Sequence, residues 1–443
     1  MDLYYPSYLY REKQFFKEYA LAVENGVIQK VGPFSQLRTE FPNSYVHRWE
    51  NQVMLPGTVN THNHSFQSLL RGIAADRPFL EWRDSSLYHY SPKMRLEDIY
   101  NGAVFAFSEM LQCGVTTVSD FFYLHNYGME SDEAIIRAAR DVGIRLVLAR
   151  TMYDWDGAPN GYQETVSQAV ERTKALARLY QGDSMVTVLP APHSLHAASP
   201  EMIQAGHQLA KELGTGFHIH VAEELFEVEE VKAAHNGLHP LEYLDQLGVV
   251  DERMMMIHGV WLKDREIDLA GSRGVKLAYC PSSNMFLADG ITDIPRMIKS
   301  GVTVALGSDG ACGNNRISVL EEMRMVSLLQ KAHTLNALCV NYEQAFEMGT
   351  VAGGKALGLR VGEISPGYFA DFFGVNLGDL SMQPLSSSME QLLPNIVYSM
   401  QPAAIQSVVV NGRQVYSSGD FLTIKKSRVL RKIKDTMDHL QSA

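Results

Sequence analysis

Between residues 56 and 358 short apolar runs alternate with longer amphipathic stretches, and this alternation limits the folds open to the chain. TTVSDFF precedes DEAIIRAARDVG, and SMVTVLPAP precedes PEMIQAGHQLAKELG. GFHIHVAE, MMMIHGV, GVKLAYCPSS and GVTVALGSDG follow, most of them separated by helical patterns. Repeated β and α units imply a parallel sheet, and this many predict a closed (β/α)8 TIM-like barrel. An open doubly wound sheet is the alternative, but no G-x-G-x-x-G follows a first strand. The flanks read differently. YALAVENGVIQKVGP near the start and IQSVVVNGRQV near the end are short β runs around Asn-Gly turns, and they predict a small composite β-sandwich domain formed by the N- and C-terminal segments. The expected organisation is 1–55 as the N-terminal segment of the sandwich, 56–358 as the barrel, 359–423 as the C-terminal segment of the sandwich, and 424–443 as a C-terminal helix carrying the basic run KKSRVLRKIK.

The polar residues of the middle region gather where apolar runs end, and in a barrel those ends share one rim. LPGTVNTHNH places His62 and His64 two apart, so that on a strand both imidazoles face one way. Such a pair alone is weak evidence for a metal. The remaining runs, however, end in His193 (APHSLH), in His218, His220 and Glu223 (FHIHVAEE), in His258 (MIHG) and in Asp309 (LGSDGACGNN). Three imidazoles and one carboxylate suit one divalent ion, Zn²⁺ or Fe²⁺, with a position left for water whose pKa falls to about 7. Glu223, three residues beyond His220, is placed to turn toward substrate and shuttle protons. His258 is suited to hydrogen-bonding the attacking oxygen, and Asp309 to touching the metal and taking the water's proton. No lysine lies in TVLPAPHSL, so a carbamylated lysine bridging two metals is not offered.

Composition bounds the partners. The 443 residues carry a formal net charge of −11, which offers no footprint for nucleic acid or an anionic membrane. Four scattered cysteines without C-x-x-C spacing suggest a reducing, cytoplasmic setting, and no signal peptide or membrane span is read. A small-molecule substrate is expected, and a homo-oligomer stays open.

PGTVNTHNH, HVAE, IHG, CPSSNM and GSDGACGNN, in that order, resemble the amidohydrolase superfamily in its deaminase and chlorohydrolase branch. The resemblance implies His62, His64, His220 and Asp309 as ligands of one metal, zinc foremost, and Glu223 as proton shuttle. It also implies His258 as a catalytic residue beside the metal, His193 against substrate, and hydrolytic release of ammonia. CPSSNMFLADGI and DGACGNN resemble deaminases of purines, pterins and related heterocycles, 8-oxoguanine deaminases included. HNHSFQSLLRG, FLEWRD, FFYLHN and APHSLH resemble formimidoylglutamate deiminase, in which residues at the positions of Gln67, Arg83 and Tyr123 help hold an acidic substrate; where that enzyme has an arginine, this chain has His196. A histidine is a weaker, pH-dependent substitute for a guanidinium. Adenosine-type deaminases carry a ribose-gripping glutamate where YSPKMRLED places Lys93, which predicts that nucleosides are not substrates. The expected function is therefore a metal-dependent hydrolytic deaminase of an amino-substituted oxo-purine, pterin or pyrimidine, with Gln67, Arg83, Tyr123, His193 and His196 on the substrate. A formimidoylglutamate-type deiminase, a triazine-type hydrolase and a catalytically dead binding barrel are the alternatives.

Overall fold

The structure, a computed structural model, describes residues 1–442. It is a mixed α/β fold whose middle region contains eight parallel strands: β1 (Thr58–Asn63), β2 (Val115–Phe122), β3 (Arg145–Met152), β4 (Val186–Pro192), β5 (Phe217–Val221), β6 (Met254–His258), β7 (Lys276–Tyr279) and β8 (Thr303–Leu306). β1 to β4 pair in order in one four-stranded sheet, and β5 to β8 in another. Most of these strands are buried along their length, as expected when helices cover one face and packed side chains the other. The two sheets meet at both edges. Next to β4, the His220 N–H donates to the carbonyl of His193 at 2.9 Å. Next to β1, the Asp309 N–H donates to the carbonyl of His62 at 3.0 Å, and a Cβ on Gly307 would lie 2.7 Å from that of His62. The second seam closes only because residue 307 has no side chain.

The terminal segments pair into one nine-stranded sheet. Tyr19–Glu24 and Val27–Pro33 form the hairpin expected around Asn25-Gly26, and Ile405–Val410 and Arg413–Ser417 form the other around Asn411-Gly412. All four turn residues have positive φ, as a two-residue hairpin turn of this kind requires. What alternation does not foretell is the parallel pairing of Asp2–Arg11 with Tyr45–Pro56, which leads directly into β1. Lys426–Ser442 is helical and packs on helix Leu96–Gln112, with Asn101 Nδ2 donating to Thr436 Oγ1 at 3.1 Å. Among the described residues, no helix is long and apolar enough to cross a membrane.

A buried ion pair fastens the sheet to the middle region. Arg145, at the start of β3, donates through Nε and Nη2 to both carboxylate oxygens of Asp371, at 2.7 and 3.0 Å, and the Asn411 N–H also donates to Asp371. Both side chains are sealed from water, so removing one charge strands the other. Asp371→Ala is expected to destabilise the fold by about 3–5 kcal/mol, read as a lower denaturant midpoint. A midpoint unchanged from the parent would show that the pair does not hold the two regions together.

Candidate active site

The C-terminal ends of the parallel strands bring the predicted residues together. His62, within β1, and His64, just past its end, have ring centroids 4.7 Å apart, and His220 on β5 faces both. His62 Nε2 lies 3.3 Å from His220 Nε2 and 3.4 Å from Asp309 Oδ1, and His64 Nε2 lies 3.3 Å from the same oxygen. The outer nitrogens explain this convergence. His64 Nδ1 donates to the Phe121 carbonyl at 2.6 Å and His220 Nδ1 to the His193 carbonyl at 2.9 Å, so each ring turns its Nε2 lone pair inward. Lone pairs facing one another in a buried space repel unless a cation lies between them. Burial holds His64 down at about 4, with the nearby His62 adding to the effect, so protons do not fill that role at neutral pH. The donor set therefore fits one divalent ion.

Backbone strain sharpens the geometry. Ala222, His258 and Asp309 all have positive φ, between 51° and 67°, uncommon for residues with side chains and concentrated here at strand ends. The bend at Ala222 is what turns Glu223 off the line of β5. Glu223 Oε1 then sits 3.2 Å from His258 Nε2, while Asn284 Nδ2 donates to His258 Nδ1 at 3.0 Å. That contact makes Nδ1 an acceptor and leaves the proton of His258 on Nε2, pointing at Glu223. Burial raises the Glu223 carboxyl well above its ordinary range, reinforced by Asp289, Glu227 and Asp309. Burial also lowers His258 to about 3, so it is a neutral donor. Asp309 Oδ2 accepts from Ser283 Oγ at 2.7 Å, which fixes the carboxylate's rotation.

Above this floor lies a cavity walled by aromatic rings, Trp82, Tyr88, Tyr123, Tyr153 and Tyr162 among them. Gln67, Arg83, Tyr123, His193 and His196, the five residues read from the sequence as substrate contacts, all line it. Gln67 donates to Tyr123 Oη at 2.9 Å, His193 stacks 4.8 Å from His220, and His196 Nε2 is buried without a protein partner. Lys93 is the correction: it is absent from the wall and interacts instead with His89 and the Tyr90 ring. Residue spacing within a loop of short helical turns does not fix direction, so the expectation about nucleosides loses its ground.

Asp120, two residues before the end of β2, was not singled out from the sequence. Its carboxylate accepts from Ser65 N at 2.6 Å, Ser65 Oγ at 2.7 Å and Asn63 Nδ2 at 3.1 Å, gripping the residues on either side of His64. Its place as the one charged residue within TTVSDFF was the available signal. Asp120→Asn puts a donor where three donors converge, and metal affinity is expected to fall by roughly 10–100-fold in a chelator competition. Parental affinity would exclude Asp120 from holding His64.

A buried histidine–carboxylate cluster with a further carboxyl beside it, under a cavity, is an arrangement suited to hydrolysis. The chain belongs to the amidohydrolase family, whose model matches residues 53–415. It is 35% identical to a 5-methylthioadenosine/S-adenosylhomocysteine deaminase of Syntrophomonas wolfei over 427 residues, 95% of this chain and 94% of that one. It is 32% identical to a 5'-deoxyadenosine deaminase of Methanobrevibacter smithii over 438 residues, 97% of this chain and 95% of that one. Among solved structures, an adenosine deaminase from Xanthomonas campestris with bound zinc superposes with a TM-score of 0.91 at 25% identity, covering 100% of this chain and 98% of that one.

Proposed function

We propose that this chain is a metal-dependent aminohydrolase that releases ammonia from an amino-substituted, purine-type oxo-heterocycle. The observation that carries the reading is Glu223, a buried carboxyl whose Oε1 lies 3.2 Å from His258 Nε2 beside the histidine–Asp309 cluster, its proton affinity raised by burial. In this reading His62, His64, His220 and Asp309 hold one Zn²⁺, which when bound supplies a hydrolytic nucleophile at neutral pH. Glu223 delivers a proton to the ring nitrogen beside the carbon under attack, takes one back, and passes it to the departing amine. His258 keeps Glu223 in place through Nε2–H and offers the same hydrogen to charge developing on oxygen. Gln67, Arg83, His193 and His196 orient the polar edges of the ring, and Tyr123 fixes Gln67.

The relatives named for adenosine-type substrates support a purine ring bearing an exocyclic amine. We read the two four-stranded sheets as one closed (β/α)8 barrel spanning 56–358, supported by the contacts at both seams. Residues 1–55 and 359–423 then form the composite sandwich, with 424–443 as a terminal helix. The unpaired Cys113, Cys280, Cys312 and Cys339 support a cytoplasmic setting.

Arg83 favours a second reading. Its guanidinium is mostly buried on the cavity wall, and its one carboxylate partner, Asp84, is 58% exposed, so a substrate carboxylate competes readily for it. Such a substrate is a formimino-amino acid. Ammonia release from aminopurines, pterins, aminopyrimidines, formimino-amino acids and triazines, with metal content measured on the same protein, tests both. Turnover of a heterocycle upholds the first reading and efficient turnover of formimidoylglutamate alone replaces it with the second. A metal-loaded protein that acts on none leaves a binding barrel.

A further inference from the structure

The mouth of the cavity is ringed by side chains from the segments that follow four separate strands. Phe79 and Arg83 are four residues apart on helix Phe79–Ser85, after β1, and so share a face. The Phe79 ring centroid lies 6.1 Å from that of Phe226, after β5. Phe226 is 6.2 Å from His196, after β4, and His196 is 4.6 Å from Trp155, after β3. The Arg83 guanidinium completes the circuit, 5.9 Å from the Trp155 ring and 4.5 Å from that of Tyr88. With β4 beside β5 and β8 beside β1 at the seams, β1 and β5 lie on opposite sides, so the Phe79–Phe226 contact crosses the mouth instead of following its rim. These contacts narrow the opening through which a sugar attached to a bound ring would have to project.

The enclosed space agrees. About 80 Å³ is free for the centres of water molecules. That is small beside the roughly 300–1,000 Å³ of a typical small-molecule pocket, and it suits a bare heterocycle. A ribose with its 5'-substituent adds as many heavy atoms again.

We infer that this enzyme acts on free heterocyclic bases and that the small cavity and its mouth, narrowed by Phe79 and Phe226, select against their nucleosides, although the relatives are named for nucleosides. The inference rests on the deaminase reading above and adds to it the size of the substrate. Its test pairs each base with its nucleoside: guanine with guanosine, adenine with adenosine and 5'-methylthioadenosine, and cytosine with cytidine, with pterin as a further bare ring. Ammonia release by the metal-loaded full-length protein gives kcat/KM for each. A base, or pterin, is expected to exceed any nucleoside by at least about 100-fold, beyond what one apolar contact supplies. Phe226→Ala and, separately, Phe79→Ala are expected to narrow the ratio by at least about 10-fold through a gain on the nucleoside. A nucleoside turned over by the unmodified enzyme as well as its base overturns the inference and leaves the deaminase reading standing. Ammonia from no heterocycle overturns that reading, and the inference falls with it.

Discussion

His220→Ala is expected to give a folded protein that binds no stoichiometric metal and releases ammonia at less than about 10⁻⁴ of the parental rate. The size of the loss follows from the nucleophile: without a metal that lowers the pKa of water from about 15.7 to about 7, hydroxide is scarce at neutral pH. The loss of metal follows from the geometry. In the proposed ligand set His220 comes from β5, and its Nδ1–H bond to the His193 carbonyl crosses the seam between the two sheets. Taking it away leaves His62, His64 and Asp309 gathered on one side of the site. His62→Ala, His64→Ala and Asp309→Ala should fail in the same way. Metal content by emission spectroscopy and ammonia release are measured on each variant, with circular dichroism as the folding control. A variant that retains full occupancy and full turnover removes that residue from the ligand set.

These four positions were legible because strand chemistry is local. A histidine two residues from another at the end of an apolar run faces the same way whatever surrounds it, and the hairpin turns at Asn25-Gly26 and Asn411-Gly412 depend on two residues each. Asn284 and Asp120 act by contrast through partners in other elements. Asn284 reaches His258 from helix Pro281–Leu287 after β7, and Asp120 reaches Ser65 from the neighbouring strand. Nothing in their own neighbourhoods specifies the partner. The aromatic circuit over the cavity is the extreme case, because Phe79, Trp155, His196 and Phe226 are joined only once four strands have been placed. Lys93 shows the cost of reading such a loop by spacing alone.

Glu223→Gln separates proton transfer from metal binding. The amide matches the carboxyl in shape and still accepts from His258 Nε2–H at Oε1, so the tautomer set by Asn284 is kept. It does not give up and recover a proton. Metal content and KM are therefore expected to stay within about twofold of the parent while kcat falls by roughly 10²–10⁴, the usual worth of a positioned general acid–base. The buried setting bears on the upper end of that range. Burial, reinforced by the carboxyls of Asp289, Glu227 and Asp309, raises the proton affinity of Glu223, which suits a group that hands a proton to the substrate first. Loss of metal from Glu223→Gln would make Glu223 a ligand or a structural support, and undiminished kcat would move the proton shuttle to another residue.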